Sequence, residues 1–249
     1  MEIERRSFQG VLNILSFNRH FYVVGLIVLT IILISLLLLK TPTIWTTIIF
    51  GSFLYGLLMP LIISAYVYDF SGYYEFNWLN KIQLKELKPS KIVNINAGFD
   101  ETSFILKKNF PKSDLQVFDF YNPTEHTEPA IVRARKVSLT YPNTQHIKTD
   151  KIPLKDQSVD FVFLLSAAHE IRAFKERVVF LKECKRICKP SGKVIIVEHL
   201  RDIPNFFAFS IGFTHFFSKK TWKKAFKGAE FTSFNETKFT PFMSIFDCH

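Results

Sequence analysis

Lys91–Ser103 reads KIVNINAGFDETS. Ile92, Val93 and Ile95 make a short apolar strand that runs straight into Ala97-Gly98, and a helical pattern follows from Thr102 to Phe110. A buried strand that stops at a small-residue turn before a helix is the corner where doubly wound sheets hold a phosphate or nucleoside. The turn lets a ligand approach the backbone, and the helix start offers free N–H groups. Gly98 is the single glycine of this turn; Asn96 and Asp100 stand where such loops usually carry glycine.

Downstream, strand and helix patterns alternate, which predicts an α/β fold with a parallel sheet. A second strand, Leu115–Phe118, ends at Asp119, where an acid is placed to accept hydrogen bonds from two ribose hydroxyls. Phe120 follows, positioned to lay an aromatic face on a purine. Ala130–Ser138 reads as a basic helix, a third strand is signalled around Thr144–Lys148, and Ile152–Val159 reads as a loop. Asp160–Leu165 (DFVFLL) is a buried strand with Ser166, Ala167, Ala168, His169 and Glu170 at its carboxyl end, where open parallel sheets bind ligands. An amphipathic helix spans Phe174–Cys188. Pro190-Ser191-Gly192 then turns into a fifth strand, Lys193–Val197, tipped by Glu198-His199.

The run from Ile152 to His199 resembles a class I S-adenosylmethionine-dependent methyltransferase of the type-11, quinone-methyltransferase-like kind. The family's Leu-Pro-Phe-x-Asp-x-Ser-Phe-Asp loop is matched by Ile152-Pro153-Leu154-Lys155-Asp156-Gln157-Ser158-Val159-Asp160. Its Ala-Leu-His-His segment is matched by Ala167-Ala168-His169-Glu170. Its Leu-x-Glu-x-x-Arg-x-Leu-Lys-Pro-Gly-Gly run is matched by Leu181 to Gly192. The family's Asp-x-Gly-x-Gly-x-Gly becomes Asn94-Ile95-Asn96-Ala97-Gly98-Phe99-Asp100 here. The Ala-Gly-Phe-Asp-Glu, Phe-Asp-Phe-Tyr and Ala-His-Glu-Ile-Arg segments are similar to those of a group of small bacterial methyltransferase-like proteins.

The resemblance implies a Rossmann-like sheet over residues 91–249 that closes with an antiparallel strand pair, Thr232–Lys238 and Phe242–Phe246. It implies S-adenosyl-L-methionine as cofactor. Gly98 would then give backbone approach to the methionine part, with Asn94 and Asn96 as further cofactor contacts and Asp100 facing the ammonium; Asp119 would hold the ribose and Phe120 pack on the adenine. Asp150 would receive the adenine amine, and Ser166 would line the methyl-transfer mouth. His169 is the best candidate for a catalytic base, since its ordinary pKa suits proton transfer. Glu198 and His199 stand in reserve, and Tyr73, Tyr74 and His215 could enter from the lid side.

The first ninety residues are of another kind. Phe21–Leu39 carries no charge; its nineteen residues rise about 28 Å as a helix, close to the hydrocarbon thickness of a bilayer. Lys40-Thr41-Pro42-Thr43 breaks it, and Ile44–Val67 is a second uncharged run with Pro60 as a kink. Together, 21–39 and 44–67 predict a transmembrane hairpin. Residues 1–20, with Arg5, Arg6 and Arg19, form a segment suited to a membrane surface. The arginines outweigh Lys40 alone in the connecting loop, which places both ends, and the domain, on the cytoplasmic side of a cell inner membrane. Residues 68–90 read as an aromatic interfacial linker, with a short helical bridge over 82–87.

The net charge of +10 and the 28 phenylalanines fit a protein at an anionic lipid surface, and no nucleic-acid motif is present. Phe206–Phe217 (FFAFSIGFTHFF) is an apolar lid pattern, followed by Lys219, Lys220, Lys223, Lys224 and Lys227. Cys184, Cys188 and Cys248 are odd in number and lack a Cys-x-x-Cys pair, which argues against a zinc site or disulfides. The expected function is methylation of a lipid-phase small molecule such as a quinone, pigment or polyene. A non-catalytic binding or scaffold protein on the same fold is the rival reading. A nicotinamide enzyme fits less well, because Gly-x-Gly-x-x-Gly is missing. Metal ligands are not expected, and the oligomeric state is open.

Overall fold

The computed structural model describes residues 5–84, 87–125 and 128–249. Three helices come first: α1 (Gln9–Phe17), α2 (Arg19–Leu38) and α3 (Thr43–Ala65). The last runs into a π-helical turn, Tyr66–Phe70, and a short α4 (Trp78–Lys81). There follow β1 (Lys91–Asn96), α5 (Ser103–Asn109), β2 (Asp114–Asp119), α6 (Pro129–Val137), β3 (Gln145–His146) and β4 (Val159–Leu165). The chain closes with α7 (Phe174–Ile187), β5 (Cys188–His199), α8 (Ile203–Phe209), α9 (Lys219–Gly228), β6 (Phe234–Lys238) and β7 (Met243–Cys248).

The seven strands form one sheet in the order β3-β2-β1-β4-β5-β7-β6. β1 to β5 are parallel, and β7 runs antiparallel between β5 and β6. The carboxyl ends of β1, β2, β4 and β5 therefore share one edge, with the order reversing at β1/β4. That is where an open sheet leaves a crevice. β5 starts at Cys188, earlier than the expected Lys193, because the Pro190-Gly192 turn lies within it; the register slips between Val159 and Phe161 to take up the slack.

Alternation along the strands supplies two cores. Val93, Ile95, Val162, Leu164, Val194 and Ile196 face Phe180, Leu181, Cys184 and Ile187 of α7 and Trp222 and Phe226 of α9. Ile92, Phe161, Phe163, Ile195 and Val197 face the opposite way, onto Leu106 and Phe110 and onto Tyr73, Phe76, Trp78, Leu79 and Leu84. This corrects the reading of 68–90 as an interfacial belt. Phe76, Trp78 and Leu79 are at most 1% exposed, and the Trp78 indole N–H donates to the Tyr73 carbonyl. The sheet's second face needs a cover, and this stretch supplies it. Tyr66 and Phe70 stay exposed. The helix lies at Trp78–Lys81 rather than over 82–87, of which 85–86 fall outside the described residues.

α2 and α3 are long and apolar enough to cross a membrane, by length and composition. Only 6% of each apolar window is buried, so these are not the core helices of a globular domain, which would hide such surface. α1 packs on the domain by one face. Asp69, on the π turn, accepts hydrogen bonds from the Gly10 and Val11 N–H groups at 2.7 and 3.0 Å, an acid at a helix start. Gly10 is required there, since a Cβ would meet the Tyr68 Cβ at 2.4 Å. The other face of α1 exposes Leu12 and Leu15.

Candidate active site at the sheet edge

The loop leaving β1 sits at the crevice, and its side chains alternate. Asn96, Gly98 and Asp100 line a small polar pocket of about 320 Å³; Ala97, Phe99 and Glu101 line a larger cavity of about 890 Å³. Gly98 holds φ +88°, and a Cβ there would fall 2.8 Å from the Arg135 guanidinium and 2.9 Å from Tyr121. A side chain is excluded on both grounds.

The small pocket is completed by Asp119, Arg135, Ser138, Thr140, Thr144 and His146. Asp119, at the tip of β2, accepts the Tyr121 N–H at 2.8 Å and pairs with Arg135 at 2.7 Å. Asp100 caps α5 by accepting the Thr102 and Ser103 N–H groups through Oδ1. Its Oδ2, like Nδ2 of Asn96, is buried without a partner among the described residues. Burial raises the Asp100 carboxyl's pKa, against the hydrogen bonds from Ser103 and Thr102. A glycine that admits no side chain, an acid at the second strand tip and two unpaired polar atoms of opposite sense fit a nucleoside with an amino-acid tail. S-adenosylmethionine would be held by Gly98, Asp119, Asn96 and Asp100.

Three of the expected cofactor contacts line neither cavity. Phe120 is 3% exposed and its ring lies 5.3 Å from that of Phe180, in the core, because the chain alternates after Asp119 and sends Phe120 under the sheet. Asn94 donates to Thr102 and Ser103 Oγ atoms and ties β1 to α5. Asp150 is exposed in the turn after β3 and lines neither cavity. Arg135, which sequence reasoning missed, covers Asp119 and stacks 4.4 Å over Tyr121. Its only signal was the basic character of α6.

The larger cavity contains Ser166 and His169 from the tip of β4, with Glu198 and His199 from β5. Its walls come from Phe17 and Phe21, Gly56, Leu57 and Pro60 of α3, Tyr68, Tyr73 and Tyr74, and the lid residues Phe209, Thr214, His215 and Phe216. The two aromatic stretches, far apart in sequence, thus border one space. Tyr68 bonds His199 Nε2 at 2.9 Å, and Phe216 stacks on that imidazole at 5.0 Å. Tyr55 of α3 donates to the Phe207 carbonyl at 2.5 Å, joining helix to lid.

His169 Nδ1 lies 2.7 Å from the fully buried Glu198 carboxylate, which also accepts the His169 backbone N–H; Nε2 lies 3.3 Å from Glu170. Burial alone would lower the imidazole's pKa, yet Glu198 and Glu170 raise it to about 10. The two carboxylates, one on each ring nitrogen, thus favour the protonated imidazole. His199 is the opposite case: burial, against hydrogen bonds to Asn205 and the Phe242 carbonyl, lowers it to about 4. His215 is lowered to about 4 by burial and by the charge on His169. Burial drives Tyr73 well above its usual range, so it stays a phenol.

Comparison with known proteins agrees with this geometry. Residues 123–196 match the family described as "Methyltransferase domain" (Methyltransf_11). Demethylmenaquinone methyltransferase of Thermotoga maritima is 26% identical over 137 residues, 55% of this chain and 54% of that protein. The chain thus spans about half the length of this curated relative. Among solved structures, human N-acetylserotonin methyltransferase in complex with S-adenosylmethionine superposes with TM-score 0.52 at 14% identity, covering 78% of this chain and 55% of that one. A Pyrococcus horikoshii protein gives 0.50 at 17% identity, over 73% and 91%. These likenesses establish the fold. The strand order, the terminal antiparallel pair and these superpositions give the chain the fold of class I methyltransferases, and residues 123–196 are similar to the type-11 methyltransferase domain.

Proposed function

We propose that this protein is an S-adenosylmethionine-dependent methyltransferase held in the membrane by α2 and α3, and that its acceptor is a hydrophobic molecule drawn from the bilayer. The supporting observation is the continuity of the larger cavity. One space of about 890 Å³ touches Phe21, Leu57 and Pro60 on the apolar helices and Ser166 and His169 at the sheet edge. An acceptor could pass from lipid to the reacting centre without exposing its apolar body, each methylene of which is worth about 0.8 kcal/mol. The cofactor supplies an electrophilic methyl on sulfur. The chain's own residues hold it by Asp119 and Gly98, exclude water with Phe209 and Phe216, and orient the acceptor. The relative named for demethylmenaquinone favours a quinone-like ring; pigment- and polyene-like acceptors fit the same space.

The arginines of the N-terminal segment and the lysines of α9 favour a cytoplasmic domain on an anionic leaflet of the inner membrane. Full-length protein in anionic vesicles loaded with a demethylated quinone, given methyl-labelled cofactor, should label the lipid extract. Label that appears only on water-soluble acceptors would refute the reading. A second reading, a non-catalytic binding protein, is favoured by Arg135 closing on Asp119. Calorimetric titration with S-adenosylmethionine, and with NADH in parallel, decides between them: no heat from either selects the second.

A further inference from the structure

We propose that His169, Glu170 and His215 form a binding site for a divalent transition metal such as zinc, open to the larger cavity, where the ion takes a hydroxyl oxygen of the acceptor. The second part rests on the methyl-transfer reading above; the first does not.

One ligand atom from each of the three residues lies within 4.8 Å of the others. The His169 Nε2 to Glu170 Oε1 separation is 3.3 Å. Two ligands about 2.05 Å from a tetrahedral zinc are about 3.3 Å apart, so this pair already has the spacing a metal imposes. His215 brings the third ligand atom from the lid, its ring centroid 5.1 Å from that of His169. Two imidazoles and a carboxylate suit zinc and leave an open position, the pattern of catalytic rather than structural sites.

Two independent features support a ligand-binding purpose. His169 Nδ1 is held at 2.7 Å by Glu198, a carboxylate only 1% exposed, which fixes the tautomer and turns Nε2 toward Glu170. A carboxylate behind a histidine in this way is the usual outer support of a metal-bound imidazole. Arg172 then donates to both the His169 and His215 carbonyls, at 3.2 and 2.7 Å, clipping the two histidine-bearing segments together. All three ligand residues line the larger cavity. An ion there would replace the proton between His169 and Glu170. A coordinated acceptor hydroxyl loses its proton to water more readily. Its oxygen lone pair then forms the bond to the methyl carbon, and the electron pair of the breaking carbon–sulfur bond stays on sulfur.

The test uses full-length protein in detergent, stripped with chelator and titrated with Zn²⁺, and with Co²⁺ for its visible spectrum. One equivalent per chain with a tetrahedral cobalt spectrum is expected. His215→Ala and Glu170→Gln should each weaken binding at least tenfold, and Glu198→Gln about tenfold without removing the site. Equal binding by wild type and the ligand variants, or none by wild type, overturns the site and leaves an imidazolium bridging two carboxylates. Cofactor titration of the stripped protein is run alongside. Metal binding without cofactor binding sinks the methyl-transfer reading and keeps the metal site. Cofactor binding with undiminished methyl transfer in excess chelator removes the ion's role toward the acceptor.

Discussion

Asp119 cannot serve the ribose and Arg135 fully at once, and this competition has a measurable sign. Its Oδ2 takes the Arg135 guanidinium at 2.7 Å while Oδ1 is used by the Tyr121 N–H. Ribose hydroxyls arriving at the tip of β2 must displace the arginine from Oδ2. Arg135 is 44% exposed at its side chain, so the pair is screened and worth at most about 1 kcal/mol. The hydrogen bonds from ribose to an ionised carboxylate are worth about 1.5–3 kcal/mol. Asp119→Ala should therefore weaken S-adenosylmethionine binding by about ten- to a hundredfold. Arg135→Ala should strengthen it by about two- to fivefold, by releasing the carboxylate. The double variant should resemble Asp119→Ala, because nothing remains for the arginine to block. Calorimetry on the detergent-solubilised full chain gives all four affinities, with melting curves as the folding control. If Arg135→Ala weakens binding as much as Asp119→Ala does, the arginine contacts the cofactor and the competition argument is wrong. Unchanged affinity in a folded Asp119→Ala protein moves the nucleoside elsewhere.

Three other outcomes are expected. Proteolysis of inverted vesicles should remove the domain while right-side-out vesicles protect it; digestion from the outer face alone refutes the proposed orientation. Phe216→Asp, at the lid face that stacks on His199, should reduce turnover of a lipid-phase acceptor at least tenfold while cofactor affinity stays within twofold; equal losses in both would make the lid part of the cofactor site. Asp160 accepts from the Ser90 N–H and hydroxyl, the Lys91 N–H and Lys189; burial opposes its ionisation, but these partners lower its pKa to about 2. A lowered carboxylate stabilises the fold above its unfolded pKa of about 3.9, and that contribution is lost as pH falls through about 2. Asp160→Asn should cost about 1–2 kcal/mol at neutral pH, with the gap to wild type closing below pH 4; a gap that persists at pH 2 refutes the charge-based account.

The centre of the sheet was legible because β1, β4 and the second half of β5 are buried on both faces and read as Ile-, Val- and Phe-rich runs between turns. The places of Asp119, Gly98 and Ser166 at the sheet edge were legible because strand ends in such sheets have fixed positions relative to the crevice. The failures have physical reasons. Tyr73, Phe76 and Trp78 have the composition of a headgroup belt and equally that of a core, and only the uncovered second face of the sheet decides between them. Phe120 was assigned to adenine on adjacency, whereas strand alternation sends its ring the other way. Residue spacing could not set His215 against His169, since a 3-10 helix of the lid, Ser210–His215, carries it there. Arg135 reaches Asp119 from a helix face that no motif marks.

The alternation of the loop after β1 has a consequence for how such a protein can diverge. Neighbouring residues report to separate chambers: Asn96, Gly98 and Asp100 to one, Ala97, Phe99 and Glu101 to the other. On the proposed reading, a lineage could exchange Phe99 and explore new acceptors while Asn96, Gly98 and Asp100 stay as they are; Glu101 is bound to Gln9, Asn13 and Tyr74 and is less free to change. One short stretch of chain keeps the inherited chemistry and its novelty in alternate letters.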